Sequence, residues 1–173
     1  NAKDSTHISK YLSSDPQYPC NVVVEKYKGE CYFLQTSRML QIFGADFKKV
    51  AIECNLAPEQ FRYLCFGSMG RDVAGNSKPN SQKSISLCNL IDQSIYRKVC
   101  LDGAVQDYFW EPSGAQSAID FCKNLQNLED KSSCYQVIIT RSKEVLSNNI
   151  QKQNFCAGVE SSFQQECKGL HDI

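Results

Sequence analysis

The chain has 173 residues, 42 % of them hydrophobic and 22 % charged, with 19 basic side chains balanced by 19 acidic ones. That apolar content supports a packed core and excludes extensive disorder, while a formal charge of zero supplies no field to draw in nucleic acid, an anionic membrane surface or an acidic substrate. Ten cysteines are too many for a reduced cytosolic protein of this size unless they bind metal.

Residues 1–19 are polar, with neither a signal-peptide core nor an initiator Met, and read as an N-terminal extension on a mature or trimmed product. No apolar run approaches the roughly 20 residues needed to span a bilayer. From residue 20 to residue 173 the chain reads as one repeat domain, in units starting near Cys20, Cys54, Cys88, Cys122 and Cys156, so the first cysteine of each unit recurs every 34 residues. A second cysteine follows in each unit after ten or eleven intervening residues: Cys31, Cys65, Cys100, Cys134 and Cys167. Four residues before it stand Tyr27, Phe61, Tyr96 and Phe163, with Asp130 departing; just after it stand Tyr32, Phe66, Leu101 and Tyr135, with Lys168 ending the series.

Each unit is predicted to be a shorter helix ending near the first cysteine, a tight turn, and a longer helix carrying the second cysteine about two turns in. In the second unit, residues 58–75 have helical spacing at Phe61, Leu64, Cys65, Ser68, Met69 and Val73; Pro58 suits the first turn, and residues 75–80 mark the end. Residues 78–83 then read as polar loop. In the third unit Tyr108, Phe109 and Trp110 end the long helix before residues 111–114, and three consecutive aromatics cannot all face one core. Two are expected to pack and one to be partly exposed. In the fourth, the adjacent acids Glu129 and Asp130 read as solvated or as helix caps.

In an antiparallel hairpin the last turn of one helix lies beside the opening turns of the next, which can bring two Cα atoms within roughly 4.4–6.8 Å. The predicted disulfides are therefore Cys20–Cys31, Cys54–Cys65, Cys88–Cys100, Cys122–Cys134 and Cys156–Cys167, each worth on the order of 3 kcal/mol in the chain-entropy picture. Bonds between units are the alternative. Zinc and iron–sulfur sites use tighter cysteine clusters than any here, and the two histidines, His7 and His171, stand near the ends, where a solvated side chain is the default. No metal or cofactor is expected.

A 34-residue helix–turn–helix period resembles the tetratricopeptide and Sel1-like class of repeats, in the disulfide-stapled form of secreted cysteine-rich bacterial repeat proteins, over nearly the whole chain from Cys20 to Cys167. The segments Cys31-Tyr32-Phe33-Leu34-Gln35-Thr36-Ser37 and Cys65-Phe66-Gly67-Ser68-Met69-Gly70-Arg71-Asp72 look like motifs of uncharacterised exported bacterial cysteine-repeat proteins. The resemblance implies an all-α, right-handed solenoid with one disulfide inside each unit. It implies export and brings no activity.

Seven residues after the second cysteine stand Arg38, Asp72, Asp107 and Arg141, which could pair between neighbouring units as a charge ladder, Arg38 with Asp72 and Asp107 with Arg141. The functional reading of the same face is a polar binding strip of Gln35, Thr36, Arg38, Arg71, Asp72, Gln106 and Asp107, with Trp110 as an exposed anchor. Gly67 and Gly70 inside a helix cost roughly 1 kcal/mol each relative to Ala, so a close neighbour, helix or ligand, is expected there. No nucleophile elbow, zinc-protease motif, P-loop or dinucleotide fingerprint occurs. The reading is a non-catalytic scaffold or accessory subunit that binds a protein, secreted or periplasmic, with the mitochondrial intermembrane space as the other compartment. The alternative is an enzyme acting on cell-wall or extracellular polymer; it needs a cleft with paired acids, which the sequence does not offer at fixed phase, and loss of a hydrolytic activity in the pair Asp72→Ala with Asp107→Ala would support it.

Overall fold

A computed structural model describes residues 13–173, which form ten α-helices, one short 3-10 turn and no strand. In chain order these are α1 (Glu25–Leu34), α2 (Thr36–Phe43), α3 (Phe47–Leu56), α4 (Glu59–Ser77), α5 (Ser81–Cys88), α6 (Ser94–Tyr108), the 3-10 turn (Pro112–Gly114), α7 (Ala115–Lys123), α8 (Leu128–Val145), α9 (Asn149–Gly158) and α10 (Ser161–His171). None of them is long and apolar enough to cross a membrane.

Four helices start on an Asp or Asn whose side chain accepts hydrogen bonds from first-turn N–H groups: Asp46 for α3, Asn80 for α5, Asn127 for α8 and Asn148 for α9. Gly44, with φ of 62°, ends α2 in the left-handed conformation that glycine adopts without a Cβ penalty. Some boundaries differ from the sequence reading. Pro58 stands one residue before α4 rather than in its first turn, and α4 continues past Gly75 to Ser77. Residues 81–83 are helical, because Asn80 caps Lys83 N–H and starts α5 where polar loop was expected. The long helix expected around Cys31 is divided at Gln35 into α1 and α2, and the Gln35 side chain turns inward and donates to the carbonyls of Pro16 (2.8 Å) and Tyr18 (2.7 Å).

The helices that carry the second cysteine of each pair, α1, α4, α6, α8 and α10, pack successively on one another, while α3, α5, α7 and α9 each pair with the helix that follows. Disulfides join Cys20–Cys31, Cys54–Cys65, Cys88–Cys100, Cys122–Cys134 and Cys156–Cys167, with Cα separations of 5.4–5.7 Å. Four connect two consecutive helices, and the first connects the turn before α1 to α1. These are the pairs expected from the spacing. The described part of the N-terminal extension is held to the body by Gln17, whose amide donates to Glu53 at its carbonyl and carboxylate, both 2.9 Å.

The aromatic phase has a direct cause. The ring just after the second cysteine of one long helix stacks on the ring four residues before it on the next: Tyr32 on Phe61 at 5.5 Å, Phe66 on Tyr96 at 4.7 Å, Tyr135 on Phe163 at 4.3 Å. Such pairs contribute about 0.5–1.5 kcal/mol beyond their burial. Leu101, the one non-aromatic member of its apolar series, and Asp130, the departure from the other, face the one remaining junction, between α6 and α8. That junction is polar: Asp130 is buried and lies 3.7 Å from Arg97 Nε, so it is neither solvated nor a cap, and Ser133 bonds to Asp102.

Between α4 and α6 the packing is closest, and small residues explain it. A Cβ on Gly70 would strike the Cys100 carbonyl and lie 2.9 Å from Ala104 N; one on Gly103 would strike the Gly67 carbonyl and lie 3.2 Å from its carbon. Gly67 itself would meet only Val99 Cγ1 at 3.7 Å. A neighbouring helix thus accounts for Gly70 of α4 and Gly103 of α6, while Gly67 has room for a methyl of its own.

Candidate binding groove

Where the long helices end, a groove of about 750 Å³ runs from Leu34 and Ser37, across Arg71, Asp72 and Gly75 of α4, to Asp107 and Tyr108 of α6 and the Trp110–Gly114 segment. In and beside it, cationic side chains meet helix ends, whose last carbonyls have no partner within their own helix and carry partial negative charge. Arg71 donates to the Phe33 carbonyl near the end of α1 and lays its guanidinium 3.8 Å over the Phe33 ring. Lys78 reaches both the carbonyl and the carboxylate of Asp107, each at 2.6 Å. Arg141 Nε donates to the Phe109 carbonyl at 2.7 Å. Each such contact contributes about 0.3–1 kcal/mol where partly exposed.

These contacts replace the charge ladder. Among the described residues, Arg38 and Asp72 do not pair: Arg38 bonds to Gln41 Oε1 (3.2 Å) and the Ser13 carbonyl (3.0 Å), and Asp72 accepts from Thr36 Oγ1 (2.6 Å) and Ser37 Oγ (2.8 Å). Nor do Asp107 and Arg141, since Lys78 takes the first and the Phe109 carbonyl the second. Each of the four charges thus has a partner nearer than the one equal phase offered.

The expected strip is only partly one surface. Arg71, Asp72, Asp107 and Trp110 line the groove together. Gln35 and Thr36 are buried, at 5 % and 0 % exposure, and serve the fold; Arg38 binds the chain before α1. Gln106 faces a separate hollow of about 250 Å³, with Asp102, Tyr63 and Val137.

Of the three consecutive aromatics, Tyr108 and Phe109 are buried, and Trp110 is 73 % exposed. Phe109 stacks on Phe155 at 5.3 Å, and the Tyr108 hydroxyl lies 3.0 Å from Ser84 Oγ, which leaves Trp110 to turn outward at the groove rim. The Arg141 guanidinium stands 5.4 Å from its ring, so one face of the indole is held while the other is free.

Several groups near this face were not singled out by spacing. Burial pushes the Asp102 carboxyl up to about 6, against the lowering effects of the Ser133 hydroxyl and Lys98. Lys78 and Glu111 enter the groove from segments that read as loop. His171 is half-buried rather than solvated, with Nε2 2.7 Å from Ser142 Oγ; burial, then the charges of Lys152 and Lys143, hold its pKa below the ordinary value. His7 lies outside the described residues. Comparison with protein-family profiles, with curated proteins and with solved structures gives no match for the chain.

Proposed function

We propose that the protein is a non-catalytic scaffold that binds a protein partner through this groove, with Trp110 as the anchor. One observation carries the reading: a tryptophan 73 % exposed at the rim of a 750 Å³ groove, braced on one face by an arginine that is itself tied to the backbone. A rigid aromatic of this kind loses little freedom on binding, which is why tryptophan and arginine dominate interface energetics. The recurring ring stacks and within-hairpin disulfides support the finer architecture, a right-handed solenoid of 34-residue units of tetratricopeptide or Sel1-like kind. Five disulfides suit an oxidising compartment, and we read the protein as secreted or periplasmic.

Affinity purification from the native source with wild type and Trp110→Ala tests this. The expected result is a stoichiometric partner retained by wild type and weakened by about thirtyfold or more in the variant, the effect of losing a hot spot of 2 kcal/mol. Equal retention by both proteins contradicts it.

A second reading, an enzyme acting on cell-wall or extracellular polymer, draws on Asp102 alone, whose carboxyl near 6 beside an open hollow has the protonation a general acid needs. It requires Asp102→Asn to abolish a measured polymer hydrolysis with the fold intact.

A further inference from the structure

The last hairpin brings together three groups that chain spacing kept apart. Cys156 comes from α9, and Cys167 and His171 stand four residues apart on one face of α10. One ligand atom from each of the three lies within 4.8 Å of the other two. Both cysteines are fully buried, and their Cα atoms are 5.5 Å apart. Ser142 of α8 orients the imidazole: its hydroxyl donates to the Ile139 carbonyl at 2.5 Å and lies 2.7 Å from His171 Nε2. With its single proton spent on that carbonyl, Ser142 Oγ accepts from Nε2–H. This fixes the tautomer and leaves Nδ1 with the free lone pair, the arrangement by which a second group sets a histidine for a metal.

We propose that Cys156, Cys167 and His171 form a thiol-gated site for a borderline-soft divalent cation such as Zn²⁺. In the oxidised protein the two sulfurs are bonded to each other and the site is closed. A dithiol reductant opens it by exchange: two electrons pass to the protein disulfide, the dithiol closes to its own cyclic disulfide, and its two protons leave Cys156 and Cys167 as thiols. Zn²⁺ then displaces those two protons and takes two thiolates and one imidazole, with water as the fourth ligand. A tetrahedral ion with Zn–S near 2.3 Å sets two sulfurs about 3.8 Å apart. Once the bond is reduced the two sulfurs must part from bonded distance to that separation, which side-chain rotation about Cα atoms 5.5 Å apart provides.

Two features set this pair apart from the other four. Among the described residues it is the one cysteine pair grouped with a third ligand. It also closes the hairpin at the end of the helix row, where α10 packs chiefly on α8 and α9, so its rearrangement parts no other long helices.

The test uses the full chain under anaerobic conditions, reduced by graded phosphine until peptide mapping shows Cys156–Cys167 open, with Co²⁺ as the spectroscopic probe and Zn²⁺ as competitor. Expected are one Co²⁺ per chain with thiolate charge-transfer absorption and visible bands of a tetrahedral site, displacement by Zn²⁺, and Zn²⁺ protection of Cys156 and Cys167 from alkylation. His171→Gln, at a half-buried terminal position that leaves the helices in place, is expected to weaken Co²⁺ binding at least about tenfold. An octahedral or absent Co²⁺ spectrum, protection at a different cysteine pair, or unchanged affinity in His171→Gln overturns the proposal.

Discussion

Replacing Asp102 by Asn isolates the one strongly perturbed carboxyl among the described residues. Asp102 is partly buried between α6 and α8, accepts from Ser133 Oγ at 3.2 and 3.3 Å, and is pushed by burial up to about 6. In the unfolded chain an aspartate titrates near 3.9, so below about pH 4 both states hold the proton and the residue adds no pH dependence. Between about pH 4 and pH 6 the unfolded chain releases that proton while the native protein keeps it. Native stability therefore falls as pH rises through this window and levels off above the folded value. A separation of about 2 units corresponds to roughly 3 kcal/mol, an upper figure because water still screens a partly exposed carboxylate. Asparagine keeps the shape and an acceptor for Ser133 but cannot ionise. Urea unfolding at several pH values between about 4 and 7.5 should find the two proteins alike at the acid end and the variant more stable by about 1–3 kcal/mol at the neutral end. A wild type equal to or more stable than the variant at neutral pH would refute the burial argument.

At the α4–α6 contact, Gly70→Ala and Gly103→Ala each force two backbones apart and should cost about 2–4 kcal/mol, whereas Gly75→Ala, with nothing within 4 Å of the added methyl, should gain up to about 1 kcal/mol. Thermal melts of the three variants decide this, and a uniform effect would contradict the close-approach account. Asp46→Ala removes the acceptor for Lys48 and Lys49 N–H at the start of α3 and should cost about 1 kcal/mol by denaturant unfolding. Trp110→Ala, by contrast, should leave stability within about 0.5 kcal/mol of wild type, since the indole is mostly exposed.

The helical class and the cysteine pairs were legible because they rest on short-range geometry: a hairpin turn holds residues eleven or twelve apart at disulfide distance in every unit. The aromatic phase was legible too, though its partners were not, since Tyr32 meets Phe61 only once two long helices stack. The inward turn of Gln35 was hidden, because the carbonyls that its side chain meets belong to Pro16 and Tyr18, in a segment with no periodic signal. The charge ladder misled for a related reason. Equal phase placed Arg38, Asp72, Asp107 and Arg141 in one register, but phase does not reveal which carbonyls a helix end leaves unpaired. Of the binding strip, Gln35 and Thr36 are buried and Arg38 is tied to the chain before α1, Arg71, Asp72, Asp107 and Trp110 reach the groove, and Gln106 lines the separate hollow. The Cys156, Cys167 and His171 cluster combines a hairpin contact with a helical i, i+4 step, and only the first is legible in the spacing, from which His171 reads as a solvated terminal side chain.

Everything proposed for the groove depends on a frame in which each staple stays within its own hairpin. Non-reducing proteolysis with mass-spectrometric mapping of the purified protein measures this directly. The account predicts five linked peptide pairs, Cys20–Cys31, Cys54–Cys65, Cys88–Cys100, Cys122–Cys134 and Cys156–Cys167, and no free thiol. A bond joining two different hairpins, or an unpaired cysteine in the oxidised protein, would contradict it.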